Sequence, residues 1–140
     1  MDNLARFLIE IRDLHYVVQR HWENLPNGFV KGHPDIDLFV SGIDYEKLLI
    51  IAKKYPEIPI DVRSPGDGYY PFDIGIALLT NRVLKERIFW VPNPKAHFLS
   101  MYYHNLVHKK NNSYGKDLEE IFKEAYTPVH CEDPGVGYYV

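Results

Sequence analysis

Cysteine is nearly absent from this sequence, which limits the chemistry that the chain can carry. The one cysteine among 140 residues, Cys131, excludes an internal disulfide and a cysteine-rich zinc site. Low cysteine use is typical of a reducing compartment. A run of about 18 apolar residues, the length of a membrane-spanning helix, is also absent. The amphipathic segment 2–14 lacks the continuous apolar stretch of a secretory signal, so we expect a soluble, cytoplasmic protein without a membrane span.

An excess of positive charge is absent too. The formal net charge of −3 argues against broad binding of duplex nucleic acid. Aromatic residues, in contrast, are abundant, and eleven tyrosines favour aromatic packing or a stacking surface. The length predicts a single domain, 1–140, with a core at 1–92 and a C-terminal helical part and tail at 93–140.

Apolar spacing and turn residues predict helices that alternate with strands. Helices are expected at 2–14, 44–55, 74–84, 93–110 and 113–126, and strands at 15–20, 36–40, 58–64 and 88–91. Asp44 is the predicted N-cap of the second helix. The tail, 127–140, has no clear period and is expected to be extended. This order favours an α/β or α+β fold with a small mixed sheet flanked by helices.

Two carboxylates stand at the start of the strand Ile36–Val40. Strand alternation places Asp35 and Asp37 on the same face, where each disfavours ionisation of the other. Asp61 lies at an alternating position of the next apolar strand. Three carboxylates on adjacent strands are the oxygen ligands that Mg²⁺ or Mn²⁺ prefers, and they suit two-metal phosphoryl transfer.

Simpler interpretations of these acids remain open. Asp-x-Asp often marks a strand end or a turn, and Asp61 taken alone is typical of a surface charge on an edge strand. The carboxylates also suit a single structural cation. Asp67 or Asp73 replaces Asp61 as the third ligand if the strand that holds Asp61 is misplaced.

The motif order resembles the nucleotidyltransferase superfamily with the polymerase-β-like fold. Its pattern is a strand, a small Gly-Gly or Gly-Ser turn, Asp-x-Asp on the next strand, and a third Asp on a later strand. Here Val17–Gln19 corresponds to the first strand, and Asp35, Asp37 and Asp61 correspond to the carboxylates. The resemblance implies a minimal nucleotidyltransferase fold with C-terminal helices, in which Asp35, Asp37 and Asp61 are catalytic and bind the metal.

The chain departs from this pattern at the glycine turn. Arg20 and His21 stand where the glycine pair would let backbone amides hold the triphosphate. Two interpretations follow: these side chains bind phosphate by charge, or nucleotide binding has been lost. The segments "GDGYY", "IFWVPNPKAHFLSMYYHNLVHKK" and "YTPVHCEDPGVGYYV" also resemble a poorly characterised nucleotidyltransferase-like group of bacteria and large DNA viruses. That resemblance implies a glycan or phosphosugar setting.

Five further residues are candidate contacts for the nucleotide. Lys31 and His33 precede the motif, where they either contact phosphate and metal-bound groups or only shape a turn. Arg63 either neutralises Asp61 or clamps a phosphate. Tyr69 and Tyr70, in a glycine-rich loop, either stack on a base or sugar or pack in the core.

Three histidines recur at helical spacing near the C-terminal end. His97, His104 and His108 share a predicted helical face, so a zinc site is conceivable. The spacing of "HNLVH" lacks the glutamate of the metalloprotease helix, and buried or surface histidines are the more common interpretation. Cys131 beside His130 is interpreted as incidental, because no motif supports a cysteine nucleophile.

The leading hypothesis is a metal-dependent transfer of a nucleoside monophosphate from an NTP to a hydroxyl or phosphate acceptor. The short chain suggests that a homo-oligomer or a partner protein completes the acceptor site. One alternative is an Asp-x-Asp glycosyltransferase, although such enzymes usually need a longer chain. The other is a non-catalytic binding or regulatory module that keeps the fold.

Overall fold

A computed structural model describes residues 2–109 and 115–126 of the chain. It divides into two compact units, one up to Asn93 and one from Pro94 onward. The predicted α+β class is confirmed by helices combined with small mixed and antiparallel sheets. Within the described ranges, no helix combines the length and the apolar character that crossing a bilayer requires.

The first unit contains three helices and five strands. The helices are α1 (Asn3–Ile11), α2 (Tyr45–Ala52) and α3 (Phe72–Leu79), and the strands are β1 (Tyr16–Val18), β2 (Ile36–Val40), β3 (Ile60–Arg63), β4 (Val83–Lys85) and β5 (Phe89–Val91). The main sheet has the order β1-β2-β3, in which β2 runs antiparallel to β1 and parallel to β3. Strands β4 and β5 form a separate antiparallel hairpin.

The two faces of β2 have different surroundings because side chains alternate along a strand. Ile36, Leu38 and Val40 belong to the apolar core of the first unit, together with residues of α1, α2 and β5. Phe39 lies on the opposite face, where it meets α3 at Gly75. Asp37 shares this second face with Phe39, so the carboxylate borders a packed surface.

Two local predictions differ from the structure. The helix expected at 74–84 begins earlier, at Phe72, and ends at Leu79. The second half of the predicted helix is wrong, because Asn81 turns the chain with φ 54° and β4 then begins at Val83. Asp44 does occupy the N-cap position of α2, but its carboxylate makes no capping bond. It accepts instead from the backbone N–H of His15 at 2.7 Å, which ties α2 to the start of β1.

The second unit contains two described helices. Helix α4 (Pro94–Tyr103) continues into a π-helical segment, His104–Lys109, and α5 covers Gly115–Tyr126. Phe98 packs against Phe122 and Tyr126, with ring centroids 5.2 and 5.6 Å apart. The expected helices at 93–110 and 113–126 therefore agree with the described helical residues. The predicted extended tail and the pair His130–Cys131 lie outside the described residues.

Gly75 provides a test of the packing on the second face of β2. A Cβ at this position would lie 3.0 Å from Cζ of Phe39, whose side chain is 1% exposed. Gly75→Ala is expected to destabilise the fold by about 1 kcal/mol, because overpacking costs about 1–3 kcal/mol and outweighs the gain in helix propensity. Urea unfolding measures the change. Gly42→Ala, which meets nothing within 4 Å, is the matched control; a stabilised Gly75→Ala variant would contradict the packing described.

Candidate functional site

The candidate site is built on the neighbouring ends of β2 and β3. Asp37 and Asp61 are direct partners in the parallel pair, and neighbouring strands lie about 4.8 Å apart. The backbone N–H of Ile36 donates to the carbonyl of Pro59, so the pairing begins just before these residues. Asp35 lies two residues before Asp37, at the entrance to the strand. The structure therefore brings all three predicted carboxylates to one end of the sheet.

Asp37 is subject to the charges of both other acids. Burial raises the pKa of Asp37 above its ordinary value, the charge of Arg20 opposes that rise, and the charges of Asp35 and Asp61 add to it. The Asp37 side chain is 17% exposed, whereas that of Asp61 is 44% exposed. Asp37 is thus the enclosed member of the cluster, and its ionised form is disfavoured by burial and by two like charges.

Arg20 contacts Asp37 from the end of β1. Its Nη1 atom lies 3.4 Å from Oδ2 of Asp37, and the arginine is only 6% exposed. Its Nη2 donates to Oε1 of Gln19 and to the Tyr70 hydroxyl, both at 2.8 Å. The Tyr70 hydroxyl in turn donates to the same oxygen of Gln19 at 2.8 Å. We call these four residues, Gln19, Arg20, Asp37 and Tyr70, the Arg20 network.

Gln19 is the member of the network that sequence reasoning missed. It is 1% exposed, and its Nε2 donates to the Leu38 carbonyl at 3.1 Å. Its backbone N–H also donates to the Asp37 carbonyl at 2.8 Å, which extends the β1–β2 pairing. The available signal was a polar residue that continues a buried strand, because such a residue needs internal hydrogen-bond partners.

Tyr70 takes the second of its two predicted roles, because it packs in the core. The side chain is 7% exposed, and its ring packs edge-on against Phe39 with centroids 5.8 Å apart. Burial raises the pKa of Tyr70 to about 12, so the hydroxyl keeps its proton at neutral pH. In this arrangement the ring offers no face to a base or sugar, and Tyr70 instead holds Arg20.

Arg63 and Tyr69 form a more exposed part of the site. Nε of Arg63 lies 3.6 Å from Oδ2 of Asp61, beyond hydrogen-bond distance, and the guanidinium lies 4.2 Å from the centroid of the Tyr69 ring. Arg63 therefore partly neutralises Asp61, which was one of the two predicted roles. Its 39% exposure leaves it accessible to an anionic ligand.

His21 and His33 stack on one another near the carboxylates. Their ring centroids are 3.5 Å apart and their planes differ by 10°. Burial, with the charges of His33 and Arg20, lowers the pKa of His21 to about 4. At neutral pH His21 is therefore uncharged, so the expectation that it binds phosphate by charge does not fit this arrangement.

The remaining predicted residues are on surrounding turns. Lys31 is exposed in the turn Val30–His33, where Gly32 adopts φ 85° and the His33 N–H donates to the Val30 carbonyl. Asp67 accepts from the backbone N–H groups of Ser64 and Tyr69, and Asp73 accepts from that of Ile74. The carboxylates of Asp67 and Asp73 are thus used locally. A surface cleft lined by residues 23–29 and Glu86 contains none of the predicted site residues.

The three C-terminal histidines lie in the second unit. His97 and His104 are buried, and Nδ1 of His104 lies 2.8 Å from Nδ1 of His108. One of these two nitrogens must carry a proton for the hydrogen bond to form. The burial of His97 and His104 fits the buried-histidine interpretation. Among the described residues, no group of three or more side chains is arranged to hold a zinc ion.

The carboxylates suit a divalent cation by their chemistry but not by their arrangement. Three carboxylates are the hard oxygen donors that suit Mg²⁺ or Mn²⁺. In residues 2–109 and 115–126, however, no group of three or more His, Cys, Asp or Glu side chains is arranged to hold a metal ion. Arg20 and Arg63 lie beside Asp37 and Asp61 instead. The donor chemistry fits a metal, while Arg20 offsets the charge of Asp37 and Arg63 offsets part of that of Asp61.

Comparison of this chain with protein-family models, curated proteins and solved structures found no match. The relationship to nucleotidyltransferases therefore stays a prediction that depends on the motif.

His21 should make the stability of the protein depend on pH. The unfolded chain takes up a proton at this imidazole near pH 6.5, whereas the folded chain does so near pH 4. Protonation thus favours unfolding. As the pH is lowered from about 6.5 to about 4, the free energy of unfolding should fall by about 1 kcal/mol, after allowance for solvent screening. His21→Asn tolerates the left-handed φ of 59° and should flatten this dependence. Urea unfolding at several pH values provides the measurement; an unchanged slope in the variant would contradict it.

Asp35 should destabilise the fold through its repulsion of Asp37. Asp35→Asn is expected to lower the pKa of Asp37 and to raise stability at neutral pH by about 0.5 kcal/mol. A raised carboxyl pKa costs stability above the unfolded value and none below it, so the gain should vanish below about pH 4. Carboxyl NMR titration and thermal unfolding measure both effects. Asp13→Asn, at an exposed position, is the control; a gain that persists at low pH would rule out this cause.

Proposed function

We propose that this chain is a nucleotidyltransferase-type domain that transfers a nucleoside monophosphate from an NTP to a hydroxyl or phosphate acceptor, with release of pyrophosphate. The observation that carries the proposal is the cross-strand pair of Asp37 and Asp61, with Asp35 two residues away. Acids that raise the pKa of a buried neighbour are costly to the fold, and perturbed carboxyl groups of this kind are typical of functional sites.

Asp35, Asp37 and Asp61 are the residues that would hold Mg²⁺ or Mn²⁺. When bound, the cation supplies charge neutralisation of the phosphates and lowers the pKa of the attacking group. The chain itself contributes cationic and aromatic groups around the acids. Arg63 is accessible to a phosphate, and Lys31 lies on the exposed turn that leads into β2. The exposed side of the Asp61–Arg63 pair is therefore the place where we expect the triphosphate.

A transferase of this kind also needs an acceptor and a supply of NTPs. A hydroxyl or phosphate acceptor from glycan or phosphosugar metabolism is consistent with the sequence resemblance, and a cytoplasmic setting would supply NTPs. A second copy of the chain or a partner protein would complete the acceptor site. We do not expect duplex nucleic acid to be the substrate, because the net charge is −3.

A specific observation also favours the non-catalytic alternative. Arg20 already balances the charge of Asp37, and Arg20 and His21 stand in the place of the glycine pair after β1. A module of this kind would retain the sheet and the acids but bind no nucleotide in a metal-dependent way.

Calorimetric titration separates these two functions. ATP, CTP, GTP and UTP are titrated into the protein with Mg²⁺, with Mn²⁺ and with EDTA, and pyrophosphate release is assayed in parallel. The transferase predicts metal-dependent binding of at least one NTP, weakened at least about 100-fold in the Asp35→Asn/Asp37→Asn variant, since two charge-bearing ligands are lost. Asp13→Asn, a carboxylate loss at an exposed turn, should bind like the wild type. Absence of binding by the wild type under every condition would favour the non-catalytic module.

A further inference from the structure

We propose that Arg20 competes with the divalent cation for Asp37, so that the site is held in a low-affinity state by one of its own side chains. The inference rests on the carboxylate site of the proposed function and adds how that site is regulated. It predicts that an intramolecular cation must be displaced, or its charge overcome, before a metal ion binds.

The first support is the position of the guanidinium. Nη1 of Arg20 lies 3.4 Å from Oδ2 of Asp37, and the two side chains are 6% and 17% exposed. Little water separates or screens this pair, so the charge of Arg20 acts strongly on any ion at the carboxylate. A guanidinium keeps its proton at all ordinary pH values, so this charge cannot be removed by titration.

The second support is the way in which Arg20 is held. Its Nη2 donates to both Gln19 and Tyr70, and Gln19 is fixed to the backbone of β2 through Leu38. The ring of Tyr70 packs on Phe39. A guanidinium that is fixed by several hydrogen bonds loses little further entropy when it pairs with Asp37, which makes it an effective competitor.

Arg63 offers a contrast within the same site. Its Nε is 3.6 Å from Asp61, and both side chains are more than a third exposed. Solvent screens this pair, and a surface ion pair of this kind contributes little. The competition with a cation is therefore expected to come mainly from Arg20.

If Arg20 and the cation compete for Asp37, the phosphates of a nucleotide have a second role, which is to bind Arg20. Phosphate oxygens accept from guanidinium groups in a bidentate manner, which is stronger than a single long contact to a carboxylate. A nucleotide that draws Arg20 away from Asp37 would free the carboxylate for the cation. Cation and nucleotide would then strengthen the binding of each other, since such coupling is reciprocal.

Titration of Mn²⁺ alone into the full chain tests the competition, because the ion provides a readout that does not depend on activity. Arg20→Gln removes the charge and is expected to raise Mn²⁺ affinity about tenfold or more over the wild type. Arg20→Lys keeps the charge but loses the guanidinium hydrogen bonds, so its Mn²⁺ affinity should rise by less than that of Arg20→Gln. Arg82→Gln, which removes a part-buried arginine that donates to the Leu14 and Tyr16 carbonyls, controls for lost packing. The gain should disappear in Arg20→Gln/Asp37→Asn.

The inference is overturned if Arg20→Gln binds Mn²⁺ no more tightly than the wild type. It is also overturned if the gain in affinity persists in Arg20→Gln/Asp37→Asn. If Arg20→Gln does not fold, Tyr70→Phe replaces it, since this variant keeps the arginine but removes one of its anchors. Its Mn²⁺ affinity should rise about two- to threefold, and an unchanged affinity overturns the inference. A wild type that binds no NTP, together with a tighter Arg20→Gln, would support the competition and reject the transferase.

Discussion

A guanidinium buried against a carboxylate is the constraint on which the site depends. Arg20 and Asp37 are both largely removed from water, and neither is stable there without an opposite charge or several hydrogen bonds. The fold meets that requirement with Gln19 from the extension of β1 and Tyr70 from the loop after β3. Loss of either charge would leave the other buried alone, which typically costs about 3–5 kcal/mol.

The same constraint links the second face of the sheet to the surrounding elements. Phe39 lies beside Asp37 on this face, packs on Gly75 of α3, and also supports the ring of Tyr70. A small displacement of α3 would therefore reach Arg20 through two side chains. The surroundings of the carboxylates therefore depend on α3 as well as on β2 and β3, although α3 carries none of the three acids. In this way the electrostatics of the site are coupled to its packing.

The site combines acids that repel one another with an arginine that offsets the charge of one of them. Acids that repel one another are kept at the sheet end at a cost to stability, which is common where function requires them. An arginine beside the most buried acid reduces that cost. The proposed competition between Arg20 and a free cation would reconcile the two features, because the arginine would stabilise Asp37 until a cation and a phosphate replaced this pair.

The sequence by itself determined the strand that carries the acids and their common face. The pattern Ile36, Leu38, Val40 is period-two, and one buried face is enough to set which residues point the other way. It also predicted Asp61 on the next strand of the sheet, and Arg63 as its neighbour. These features are local or follow from the alternation of side chains along a strand, so they can be predicted from residue type and spacing. The early end of α3 was missed because a turn at Asn81 overrides a helix-compatible apolar pattern.

Only the tertiary structure decided what those residues contact. The register of β2 with β3 brought Asp37 opposite Asp61, and the loop after β3 carried Tyr70 inward to Arg20. Burial, with the charges of His33 and Arg20, lowered the pKa of His21, so that this ring is neutral at ordinary pH. The physical reason is separation along the chain. Charge, burial and hydrogen bonding at the site depend on neighbours from 12 residues apart, as for His21 and His33, to 50 residues apart, as for Arg20 and Tyr70, and no short sequence pattern shows which of these residues meet.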